Sequence, residues 1–331
     1  MLYYQHIQNY QSHYYDEQVH VRNRIYSQIN PNITNPLPTL SCTNMPQHHP
    51  GTFVAHNDLN PSDIPWALTT HLLSINHEQL LRTTHHPFLA RAANGTLPKP
   101  LVAHWLANDL QYLKVYKGVS EQTLALVRRG SNAEDIETRL SAWLEAAVQN
   151  GTREENLFQE VASLYDLDIS LNEATKNDGL RRYEALFETF STSPRNTFVP
   201  WLEGAVILWA MEKVYYEAWS WSRKQDAQSS PKSYENDQDG GAMRKEFIPN
   251  WSNRDFLMFV EQLERIINEG VSSTVRGDEK LWGEIKSRTE GVWKAVLDAE
   301  EVFWPEVNGS RAVENGRVVG GQVEGRPTEL F

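Results

Sequence analysis

The stretch HHPFLARAANGTLPKPLVAHWLANDLQYLKVY, residues 85–116, decides the fold class. It opens on a His-Pro-Phe and a Gly-Thr-Leu-Pro turn, and Pro100 then falls where a helix tolerates proline, in its first turn. From there Val102, Trp105, Leu106, Leu110, Leu113 and Tyr116 recur at the spacing of one helix face. Asp109 sits on that same face with Trp105, Tyr112 and Leu113. An acid normally belongs on the wet side of a helix, so its place on an aromatic stripe needs a reason.

Outward from this stretch the same period recurs. Upstream, Trp66, Leu68, Leu72, Leu73, Ile75, Leu80 and Leu81 predict a helix interrupted near Pro87. Downstream, helices are predicted over 121–129, 132–149, 153–166, 178–191, 199–223, 253–269 and 278–304. Hardly any segment alternates with a period of two, so the expectation is an all-α helical bundle, a single domain over 65–307. Residues 1–64 are rich in Asn, Gln, His, Tyr and Pro and read as a disordered or loosely packed extension. The segment KQDAQSSPKSYENDQDGGAMRK, 224–245, reads as a mobile insertion, and the Gly-rich 308–331 as a disordered tail.

Composition narrows the function classes. A net charge of −12 over 331 residues opposes a nucleic-acid partner, because phosphate recognition needs a basic surface. No apolar run is long enough for a membrane span, and the start of the chain lacks the pattern of a secretory signal, so the cytoplasm is expected. The single cysteine, Cys42, cannot close an internal disulfide. All 11 histidines precede residue 105, which disfavours a di-iron centre drawing histidines from several helices. His85 or His86 could in principle ligate a haem, but His86 before Pro-Phe reads as structural. No metal and no cofactor are expected, and neither a P-loop nor a dinucleotide fingerprint is present.

Asp109 is not alone. Glu212 shares a stripe with Ala205, Trp209, Tyr216 and Trp219, and Glu300 shares one with Trp293, Leu297, Phe303 and Trp304. Two readings are open. Each acid could be paired with a cation, for which Arg182 and Lys213 are available, or the three could converge on one aromatic-lined pocket. In a pocket, desolvation would raise a carboxyl pKa toward neutrality, as acid/base work requires. The hydroxyls of Tyr112, Tyr183 and Tyr216 would need partners there, and a flat heterocyclic amine would supply them.

The ordered set of motifs carries a family resemblance. The opening stretch with its Asp-x-x-Tyr, the segment LWAMEKVYYEAWSW (208–221) and the closing LDAEEVFW (297–304) together resemble the TenA (thiaminase II) family. The resemblance implies a haem-oxygenase-like helical fold, homo-oligomers and an aminopyrimidine ligand. It assigns Asp109, Tyr112 and Tyr183 to substrate binding and Glu300 to acid/base catalysis. Many relatives carry Cys-x-x-x-Tyr on the central helix, whereas this chain has Glu212 and Tyr216, so a cysteine nucleophile is absent at that position. That departure resembles the cysteine-lacking branch of plants and fungi, which implies hydrolysis of aminomethylpyrimidine, or its N-formyl form, to hydroxymethylpyrimidine. Glu300 would then protonate the leaving amine, and Glu212 would orient or deprotonate water. The alternative is a binding or regulatory protein that keeps the pocket without turnover.

Overall fold

A computed structural model describes residues 64–129, 135–172, 175–192, 199–228 and 233–307. Residues 1–63 and 308–331, on which the expected extension and tail fall, lie outside it. Among the described residues the regular elements are all helical, as the periodicity predicts, and no helix is long and apolar enough to cross a membrane.

Three short helices come first: α1 (Leu68–Ser74), α2 (His77–Thr84) and α3 (Pro87–Ala93). His86 ends the break before α3 by accepting the Phe88 N–H on Nδ1 at 3.2 Å, with Pro87 in the first turn. That contact gives His86 a capping role. The long α4 (Lys99–Arg129) then pairs with α5 (Asp135–Tyr165). After them come α6 (Asp178–Thr192) and α7 (Leu202–Gln228). A π turn (Met243–Phe247) leads into α8 (Ile248–Trp251), followed by α9 (Arg254–Val275) and α10 (Glu279–Glu300).

Two of the predicted breaks do not occur. The sequence pattern separates 121–129 from the helix before it and 132–149 from 153–166, yet α4 and α5 each run through unbroken. Gly118 and Gly151, which fall in the gaps between those predicted helices, are sites of close approach. A Cβ on Gly118 would lie 2.8 Å from the Phe187 ring on α6, and one on Gly151 would lie 3.0 Å from Lys117 on α4. Small residues are needed there to let the helices touch.

The centre of the bundle is α7. Residues 205–211, Ala-Val-Ile-Leu-Trp-Ala-Met, are buried on every side, as expected of a helix enclosed by its neighbours. It contacts α2, α3, α4, α8, α9 and α10. At the C-terminal end α10 stops at Glu300, ahead of Pro305, so Phe303 and Trp304 belong to the following turn rather than to a helical stripe. Both are nonetheless buried against the core.

The expected insertion at 224–245 is, in its described part, built into the fold. Residues 224–228 complete α7. Arg244, nearly buried, donates to both carboxylate oxygens of Asp237 (2.9 and 3.0 Å), to Asp226 (3.2 Å) and to the Ser233 carbonyl (3.1 Å). Its guanidinium lies 4.8 Å above the Tyr234 ring. Asp239 accepts the N–H groups of Gly241 and Met243, each at 2.8 Å, and the Gln238 N–H donates to the Gly95 carbonyl at 2.9 Å. With little apolar content, the described part of this segment is held by charge and hydrogen bonds. It is a clasp, and it delivers the π turn and α8 to the core.

Candidate active site

Asp109, Tyr112 and Tyr116 follow one another on α4 at three- and four-residue spacing, so all three face one side. Across from them α7 presents Glu212 and Tyr215, and α5 adds Glu154. Trp251 of α8 and Phe256 of α9 close the wall. The space between has a volume of about 340 Å³ counted out to solvent. It continues into a second chamber that shares Tyr116, Glu154, Glu212, Trp251 and Phe256 and adds Asn150, Asn250 and Asn253.

Each acid around this space meets a neutral aromatic donor. The Tyr215 hydroxyl donates to Asp109 Oδ2 at 2.8 Å, and the Tyr116 hydroxyl donates to Glu212 Oε1. The Trp251 indole N–H donates to Glu154 Oε1 at 3.1 Å. Behind the wall, the Tyr183 hydroxyl donates to Glu300 Oε2 at 2.6 Å. The other oxygen of Glu300 is buried with no hydrogen-bond partner among the described residues. The candidate cations are engaged elsewhere: Lys213 pairs with Glu217 at 2.8 Å, and Arg182 donates to the Asp298 carbonyl at 2.6 Å. Of the two readings of the sequence, pairing with Lys213 or Arg182 does not occur, and Asp109 and Glu212 share one cavity while Glu300 lies behind its wall.

Desolvation raises every one of these acids, and only Glu154 has a nearby cation, Arg153, to oppose it. Burial pushes Asp109 well above the usual carboxylate range, opposed by the Tyr215 hydrogen bond and reinforced by Glu300 and Glu154. Burial carries Glu212 to about 8, against the Tyr116 hydrogen bond and with help from the like charge of Glu154. Glu154 reaches about 7 by burial, opposed by the Trp251 hydrogen bond and the Arg153 charge. Glu300 also reaches about 7 by burial, with Tyr183 opposing. Glu154 and Glu212 keep some exposed surface, but it opens on the cavity they line.

Not every expected residue reaches the cavity. Asp109, Tyr112 and Glu212 line it. Tyr183 and Glu300 stand one layer back, where the Tyr183 ring packs edge-on against Tyr112 at 5.0 Å and both rings meet Phe303. Tyr216 is not on the wall; it is half-buried against the Phe256 ring, and its neighbour Tyr215 takes the place expected for it. Tyr116, Tyr215, Trp251 and Glu154 are the additions. Tyr116 was visible as a member of the Asp109 stripe, and Tyr215 follows Glu212 by three residues. Glu154, in the polar run Thr-Arg-Glu-Glu-Asn, carried no signal. Among the described residues no three His, Cys, Asp or Glu side chains are grouped to hold a metal ion.

A family model described as the TENA/THI-4/PQQC family matches residues 75–308. The chain belongs to the TENA/THI-4/PQQC family. The match runs from α2 to the turn after α10, and so includes every residue of the cavity. Among solved structures, a TenA homologue from Pyrococcus furiosus is similar with a TM-score of 0.55 and 24% identity, covering 72% of this chain and 98% of that one. A TenA family transcription regulator from Silicibacter has a TM-score of 0.53 and 14% identity over 73% of this chain and 97% of its own. These likenesses establish the TenA fold, which is the haem-oxygenase-like bundle that the motifs imply. A Fusarium pseudograminearum protein named "Probable transcription factor" is 24% identical over 307 residues. That alignment takes in 78% of this chain, and the chain spans 59% of the Fusarium protein's length.

Proposed function

We propose that the chain hydrolyses the aminomethyl C–N bond of an aminopyrimidine, yielding the hydroxymethyl compound and ammonia. Family membership supports a thiaminase II-like role, and the finer reading rests on one observation. Glu212, at the position where many relatives carry the nucleophilic thiol, lies on the cavity wall, has no cation partner and is raised to about 8. A carboxyl in that range is a proton donor at neutral pH. It belongs with the cysteine-lacking branch of the family.

Asp109 holds the ring nitrogen and exocyclic amine of the pyrimidine, with Tyr215 fixing the carboxyl that does so. Tyr112 packs the ring face. Glu212 protonates the leaving amine, a role the sequence gives to Glu300. Glu300 acts as a positioning residue: through Tyr183 it sets Tyr112, and it does not touch the substrate. The order of these roles follows the layers of the site.

The test offers purified protein aminomethylpyrimidine, its N-formyl form and thiamin in parallel and follows products by mass spectrometry. Conversion of a pyrimidine but not of thiamin is the expected result. A second reading, a regulator that binds the pyrimidine without turnover, draws on the names of the Fusarium and Silicibacter relatives. Binding by calorimetry with no product from any of the three compounds would favour that reading and sink the hydrolase.

A further inference from the structure

Nothing in the sequence motifs or in the family pattern singles out Glu154, yet it is the one acid besides Glu212 that lines both chambers of the cavity. Both line the chamber of Asp109 and Tyr215 and the adjoining chamber bearing Asn150, Asn250 and Asn253. The two acids come from different helices, α5 and α7. Each is tied to an aromatic donor, Glu154 through the Trp251 indole and Glu212 through the Tyr116 hydroxyl. In each case the hydrogen bond is made to Oε1, so Oε2 is the atom left for a proton, a water or a substrate amine. Of the nearby cations, Lys117 is committed to the next residue along, Glu155, at 2.6 Å, and the Arg153 charge lowers Glu154 without outweighing its burial.

We propose that Glu154 is a second catalytic carboxyl group, paired with Glu212 across the cavity and sharing one proton with it. The proposal deepens the hydrolase reading and rests on it for the identity of the substrate. Two like charges in a desolvated space do not ionise together, so the pair holds one proton over the neutral range. Burial raises both acids and the charge of Glu154 raises Glu212 further; Glu212, the proton donor of the proposed reaction, holds the proton and Glu154 the charge.

In the reaction Glu212 gives its proton to the aminomethyl nitrogen. The C–N bond breaks with its electron pair on nitrogen, and ammonia leaves. Glu154 takes a proton from water as the water oxygen forms the new C–O bond at the same carbon. One amine and one water thus become one alcohol and one ammonia. The pair finishes with the proton on Glu154, and its transfer to Glu212 restores the starting state.

The experiment uses the full chain with Glu154→Gln, Glu212→Gln and, as a control, Glu155→Gln, a neighbouring acid that is paired with Lys117. Two readouts are taken over the neutral range: turnover of aminomethylpyrimidine, and infrared difference titration of the carboxyl band. Glu154→Gln is expected to lower kcat about a hundredfold or more with KM within about threefold, and to remove the acidic limb of the pH profile. In the infrared titration it is expected to move the Glu212 step to lower pH, because the like charge is gone. Glu155→Gln is expected to leave both readouts unchanged. Near-normal turnover of Glu154→Gln with the acidic limb intact would overturn the catalytic role, and an unmoved Glu212 step would overturn the pair. A wild-type protein that shows the coupled titration but turns over no pyrimidine would sink the hydrolase reading and the base role with it, while the proton-sharing pair would stand.

Discussion

Around Arg244, the acids Asp226 and Asp237 meet a guanidinium, and Asp239 meets two backbone N–H groups. Around the cavity, Asp109, Glu154, Glu212 and Glu300 meet only tyrosine hydroxyls and one indole N–H. Both regions take carboxyl groups out of water, and they treat them in opposite ways. In the clasp, the cost of desolvation is offset by charge-assisted hydrogen bonds, and the result is a fixed segment. In the cavity the hydrogen-bond donors are neutral and the one nearby cation, Arg153, does not outweigh the burial of Glu154, so the groups titrate well above the usual carboxylate range and the region is set up for proton transfer. A buried acid with a cation is architecture; one with only neutral donors is a candidate for chemistry.

That contrast can be broken most sharply at Glu212. Glu212→Gln preserves shape and removes the titrating proton, so turnover of aminomethylpyrimidine is expected to fall by about a hundredfold to ten-thousandfold with little loss of stability. Steady-state kinetics alongside urea unfolding measures both, and a variant with wild-type turnover would remove Glu212 from the chemistry. The mirror experiment is Arg244→Met in the clasp. It strands Asp237, whose side chain is only 5% exposed, and is expected to cost about 3–5 kcal/mol in unfolding free energy. A loss below about 1 kcal/mol would mean that the clasp is not held by its ion pairs.

Stability against pH sharpens the same difference. The folded-state values of Glu154, Glu212 and Glu300 lie above the ordinary 4.5, at about 7, 8 and 7, so the folded form binds more protons than the unfolded chain between those limits. Stability from these groups is therefore greatest at the acidic end of the window and is lost as pH rises through it, at up to about 1.4 kcal/mol per pH unit for each group. Thermal unfolding followed from pH about 5 to about 8.5 should show a falling midpoint, and Glu212→Gln should flatten the fall. A midpoint that rises across this range would contradict the protonation of the cavity acids.

The smallest effect separates two adjacent tyrosines. Tyr215→Phe removes the donor to Asp109 and is expected to weaken pyrimidine binding by about 1–2 kcal/mol. Tyr216→Phe should change binding by less than about 0.5 kcal/mol, since its ring packs against Phe256 and not on the cavity wall. Calorimetry on the two variants decides it, and the reverse ranking would restore Tyr216 to the site.

The choice between Tyr215 and Tyr216 also shows where a sequence stops being informative. Both lie near Glu212 on the same helix, one at three residues and one at four, and they point about 100° apart around its axis. Which of them faces the ligand depends on the rotation of α7 against α4 and α9, and no local pattern records that angle. The interruptions expected before residue 121 and between 149 and 153 fail for a related reason. A glycine that lets two helices touch and a glycine that ends one look the same until the partner, Phe187 or Lys117, is in place.

What the sequence by itself determined is whatever repeats along one helix. The apolar period gave the helical class, and it exposed three acids, Asp109, Glu212 and Glu300, standing on aromatic stripes. The order of the motifs pointed to the family that the match over 75–308 establishes. What only the tertiary structure decided is which groups from different helices face each other. It matched each acid to its aromatic donor and sent Lys213 and Arg182 elsewhere. It moved Glu300 one layer back, and it brought Glu154, from a polar stretch of α5 with no pattern of its own, to the same cavity as Glu212. Periodicity is a property of a single segment and can be read along the chain; desolvation and charge pairing are properties of several segments together, and they exist only once the helices have packed.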